Sequence, residues 1–119
     1  MVIAIAIIGS ALYFATKTPE VASTNNVYEG HGQQIVEITA KGKYAPHLTA
    51  AKAGMPTVLR VKTDGTYDCT SQLIVPSMGY RQALPPTGMT DIQLEAQQPG
   101  ATVRGVCAMG MYNFEIKFN

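Results

Sequence analysis

From Gln34 onward the chain returns again and again to runs of five to eight residues in which apolar, often β-branched side chains alternate with polar ones, each run cut short by a turn signal. No stretch after Lys17 holds a helical period over ten residues. Residues 34–40, 56–63, 71–75, 91–96, 101–106 and 111–118 carry this texture, and Ala53-Gly54, Asp64-Gly65, Pro76 and Gln98-Pro99-Gly100 punctuate it. A two-residue period places one face of each strand in a core and the other in water. About seven short strands in the 86 residues from 34 to 119 predict an all-β domain, a small antiparallel Greek-key β-sandwich.

The first 16 residues have a different texture, with no charged side chain before Lys17. As a helix rising 1.5 Å per residue, such a run covers roughly 24 Å, a little short of a full hydrocarbon crossing. It reads as a membrane helix, retained as an anchor or cleaved as a signal. The absence of Lys or Arg ahead of it and of a good small-residue cleavage site favours the anchor. Lys17 alone, on the C-terminal side, argues by charge for a cytoplasmic domain. Residues 17–33 are polar and poor in core formers, so they read as a flexible linker, with His31 a solvated histidine within it.

Composition excludes several function classes. Nine basic and eight acidic side chains, mixed along the chain, give a net charge of +1 and no basic stripe for nucleic acid. There is no Gly-x-Ser-x-Gly elbow, no His-Glu-x-x-His pair and no phosphate-binding Gly-rich loop, and two histidines offer little for general base work. The expectation is a binding protein, not an enzyme, with no small organic substrate. Two cysteines are too few for a four-thiolate zinc site and leave a disulfide or a shared metal both open.

The chemistry concentrates in Val106-Cys107-Ala108-Met109-Gly110-Met111-Tyr112, with Cys69 the only other cysteine. Thiolates and thioethers without a nearby imidazole or carboxylate suit monovalent copper better than zinc, calcium or magnesium. In an extended strand, side chains two apart stand roughly 6.6 Å from each other. Two sulfurs sharing one ion at about 2.3 Å each are no more than roughly 4.6 Å apart. Either the segment bends at Gly110 or the sulfurs serve more than one ion, so one or two Cu(I) per chain are expected. Met55, Met78 and Met89 stand alone and read as gap-fillers or surface residues, and His47 as structural or exposed.

The Tyr44-Ala45-Pro46 segment, the Ala51-Lys-Ala-Gly54 turn, the loop around Cys69 and the closing turn before Cys107 together resemble the cupredoxin fold over residues 34–119. Blue-copper cupredoxins use two histidines, a cysteine and a weak methionine. Here Cys69 stands at the first histidine position and the closing loop reads Cys-Ala-Met-Gly-Met. With the apolar N-terminus in front, the chain is similar to the membrane-anchored Cu(I)-binding cupredoxins of the CupA type and to the N-terminal domain of their partner, a copper-exporting P-type ATPase. That resemblance implies Cys69, Cys107, Met109 and Met111 as ligands. It also implies a copper chaperone, a monomer held at the cell membrane with its soluble domain extracytoplasmic, serving copper homeostasis and resistance. The alternatives are a blue-copper-like electron-transfer cupredoxin and a metal-free surface module closed by a Cys69–Cys107 disulfide.

Overall fold

The computed structural model describes residues 22–119, and the expected membrane helix over 1–16 lies outside them. Among the described residues no helix is long and apolar enough to cross a membrane. Ten strands form two five-stranded sheets. The first sheet is ordered β1 (Val27–Gly30), β2 (Gln33–Ala40), β5 (Thr57–Thr63), β8 (Gly88–Leu94), with the two-residue β3 (Tyr44–Ala45) also on β2. The second runs β4 (Leu48–Ala51), β10 (Asn113–Phe118), β9 (Thr102–Cys107), β6 (Gln72–Val75), β7 (Tyr80–Ala83).

The all-β sandwich expected from the sequence is present, but its pairing is mixed. β2 and β5 run parallel, as do β4 and β10, while the other pairs are antiparallel. The β2–β5 pair has a topological cause. The chain leaves the end of β2 through β3, crosses to the other sheet as β4, and returns at the starting end of β2 to enter β5, so the two strands point the same way.

The domain also begins earlier than residue 34. Val27–Gly30 pairs with β2 through a two-residue hairpin in which His31 (φ 55°) and Gly32 (φ 77°) both take left-handed conformations. Ser23 forms a parallel bridge to Thr49 at the edge of the second sheet. Asn26 ties this entry down, its amide nitrogen donating to the Glu37 carbonyl and the Thr49 hydroxyl. Residues 22–33, read as linker, therefore belong to the folded unit, and His31 lies in a tight turn.

Alternation fills the space between the sheets. Gln34, Val36, Ile38 and Ala40 of β2 face in, as do Phe114, Ile116 and Phe118 of β10. One buried polar side chain clasps the end remote from the cysteines: the Gln34 amide nitrogen donates to the Lys52 carbonyl and the Thr57 hydroxyl, and its oxygen accepts the Lys52 N–H. No buried side-chain nitrogen or oxygen among the described residues lacks a partner.

Candidate metal centre

Cys107 closes β9, whose inward positions are Val103, Gly105 and Cys107. Strand phase alone therefore turns its thiol into the sandwich, where the residue is 1% exposed. The chain then reverses over residues 108–111. The Cys107 N–H donates to the Tyr112 carbonyl (3.0 Å), the Gly110 N–H donates to the Cys107 carbonyl (2.9 Å), and Gly110 takes φ +71°. The bend falls at Gly110, one of the two arrangements the sulfur spacing left open. It leaves Met109 and Met111 on the outside, 75% and 64% exposed.

Cys69 arrives from a different sheet connection. It opens a single 3-10 turn, Cys69–Ser71, that is capped by Asp68. The Asp68 carboxylate accepts the Thr70 N–H (2.8 Å) and the Thr70 hydroxyl through Oδ1, and through Oδ2 the N–H of Gly42 (2.7 Å) in the β2–β3 turn. This single side chain thus closes the turn and fastens it to the first sheet. Beneath it, the buried Tyr44 hydroxyl donates to the Thr70 carbonyl (3.2 Å), and the Tyr44 ring meets Phe114 edge-on at 5.1 Å.

The result is a Cys69 Sγ to Cys107 Sγ separation of 2.8 Å, with both cysteines free. That separation is within the limit for two sulfurs on one ion. The two thiols are electrostatically unlike. The hydrogen bond to Cys107, burial and the nearby charges of Cys107 and Asp68 push Cys69 up to about 11. Burial works against ionisation of Cys107, but the Cys69 thiol and the backbone N–H groups of Tyr112, Met111 and Met109 together hold it below the ordinary thiol range. The pair is therefore arranged with the Cys69 thiol donating to the Cys107 sulfur. Burial first, then Cys107 and Cys69, raises the pKa of Tyr44 as well, so a neutral phenol floors the site.

Among the described residues no three His, Cys, Asp or Glu side chains come together as a metal-binding group. His47 is exposed, and its Nε2 lies 3.2 Å from Asn113 Oδ1. Met78 lines a recess with Gln93, Gln97 and Val103, at the start of β9 and away from Cys107. Sequence reasoning missed Asp68, Thr70 and Gly42. The Asp-x-Thr spacing at 68–70 was the available signal for the cap, whereas nothing local pointed to Gly42.

A two-sheet sandwich with a free cysteine pair, one thiol buried and one half-buried, and an exposed methionine loop at the same end gathers soft sulfur donors in one place. The chain belongs to the cupredoxin-like domain family, whose model matches residues 4–117. Solved structures share the fold at low identity. The metal binding domain of the Cu(I)-exporting P-type ATPase CopA of Streptococcus pneumoniae D39, determined with Cu(I), is similar at TM-score 0.70 and 16% identity, covering 87% of this chain and 99% of that domain. A copper binding protein determined in its apo form is similar at TM-score 0.71 and 19% identity, covering 83% of this chain and all of that one. No curated protein sequence matches the chain.

Proposed function

We propose that the domain is a Cu(I) metallochaperone. It takes one or two Cu(I) ions at Cys69, Cys107, Met109 and Met111 and passes them to a copper-exporting P-type ATPase at the extracytoplasmic face of the membrane, so that copper is tolerated. The observation that carries this reading is the convergence, from two sheet connections, of two free thiols 2.8 Å apart beneath a loop that presents two exposed thioethers. Buried thiolate is the tighter ligand, and unbranched exposed thioether the looser one. The graded pair suits capture and onward ligand exchange better than storage. An all-sulfur site favours Cu(I) so strongly that electron transfer is disfavoured, and binding rather than catalysis is its use.

The likeness to the CopA metal binding domain supports both the ion and the class of partner. The test is transfer. Cu(I)-loaded chain mixed anaerobically with a metal-free copper-exporting ATPase should lose its copper to the ATPase on mixing, and cells carrying Cys107→Ser should become copper-sensitive. Retention of copper in the presence of excess acceptor, with unchanged tolerance in the variant, contradicts the chaperone role.

A further inference from the structure

The described chain begins at the edge of the second sheet, with Ser23 running parallel to β4 beside Thr49. Thr49 is in register with Ile116, four residues from Tyr112 and hence roughly 13 Å from the methionine loop. Because β4 and β10 both run away from that loop, the parallel Ser23 has its N-terminal side toward the loop end of the sandwich. With residues 22–33 folded into the domain, only 17–21 separate it from the apolar run 1–16. Five residues reach roughly 17 Å at most.

A second observation concerns the surface at that same end. Of the six large hydrophobic side chains exposed among the described residues, four lie there: Tyr67 (82%), Met89 (63%), Met109 and Met111. Tyr67 is two residues before Cys69, and Met89 follows Gly88, which pairs with Thr63 at the end of β5. Charge there is balanced. Lys41 and Lys43 stand exposed on the β2–β3 turn and Asp64 on the next loop, while the Asp68 carboxylate is occupied by the amides of Gly42 and Thr70. Aromatic and thioether side chains beside lysines suit the headgroup level of a bilayer, where an apolar body and a wet tip are both accommodated.

We propose that the metal end of the sandwich rests on the bilayer surface, with Tyr67, Met89, Met109 and Met111 at the headgroup level and the Gln97–Gly100 turn pointing away. The proposal rests on reading residues 1–16 as a membrane anchor and fixes the orientation that reading leaves open. A short tether attached at the metal end turns the thioether loop toward a membrane-embedded acceptor instead of letting the domain sweep freely.

The chain contains no tryptophan, so single substitutions report cleanly. Full-length Tyr67→Trp and Gln98→Trp are each reconstituted in vesicles of phosphatidylcholine with a minority of phosphatidylglycerol, without copper, and quenched with acrylamide and with headgroup-proximal brominated lipid. Tyr67→Trp is expected to be at least twofold better protected from acrylamide than Gln98→Trp, and to be the one quenched by the lipid. Equal accessibility in vesicle-bound protein overturns the docking and leaves the anchor standing. Failure of the chain to sediment with vesicles overturns the anchor reading itself. Protection of Tyr67→Trp that appears only when the ATPase is co-reconstituted also overturns the proposal, because the surface then belongs to a protein partner.

Discussion

The Phe114 ring covers Gly105 so closely that a Cβ added there would collide with its Cε1 and Cζ atoms. The two residues face each other across β9 and β10, and Phe114 is fully buried against Tyr44, so the ring has nowhere to retreat. Gly105→Ala is therefore expected to cost about 1–3 kcal/mol through overpacking, lowering the midpoint of urea unfolding. An unchanged midpoint would show that the ring moves freely and that the Tyr44–Phe114 floor is not a fixed support.

Asp68→Ala removes the acceptor of two N–H groups and unfastens the Cys69 turn from Gly42. The loss should be about 1 kcal/mol, the usual worth of such a cap, with Asp68→Asn losing less. The hydrogen bonds from Thr70 hold the Asp68 carboxyl below the usual carboxylate range. A folded-state pKa below the unfolded one means the contribution is present above the unfolded value, near 3.8, and is lost as pH falls through the folded value. Acid unfolding of Asp68→Asn should accordingly lack that part of the pH dependence. Identical acid limbs in the two proteins would place the stabilisation elsewhere.

The metal-free thiols should ionise in two separate steps followed by thiolate ultraviolet absorbance. The first belongs below the ordinary thiol range and the second near 11. One step of two thiols at the unperturbed value would mean that the sulfurs do not interact.

Gln34 tests the remote end. Gln34→Ala leaves the Lys52 N–H and carbonyl and the Thr57 hydroxyl without this partner, and should destabilise by about 1–3 kcal/mol. The same variant should bind Cu(I) as the parent does, because Gln34 is at the far end of β2 from the Cys69 turn. A matching loss of copper affinity would show that the two ends are coupled.

How much of this was legible follows from what a period records. Cys107 was readable from the sulfur atoms gathered around it, and a bend at Gly110 was one of the two arrangements their spacing left open. β4 was not, since Leu-Thr-Ala-Ala carries little strand preference and is fixed by parallel pairing with β10. β1 was hidden in a polar stretch because three of its four residues face solvent. Alternation within a strand is silent about its neighbour's direction, so the parallel pairs could not be read. The nearness of Cys69 to Cys107 came only from the family resemblance and not from any local pattern, because it depends on Asp68 finding Gly42 across 26 residues.

The central claim, that the Cys69–Cys107 thiol pair is the tight core and the exposed methionines the looser entrance, is tested most directly by anaerobic Cu(I) titration against a competing chelator. The parent chain, Cys107→Ser and Met111→Leu are compared after counting free thiols. Two free thiols and tight uptake of one or two Cu(I) by the parent are expected, with tight binding abolished in Cys107→Ser and only the weaker phase reduced, by about tenfold or 1.4 kcal/mol, in Met111→Leu. Equal losses in both variants, or no uptake by a parent with both thiols free, would contradict the account.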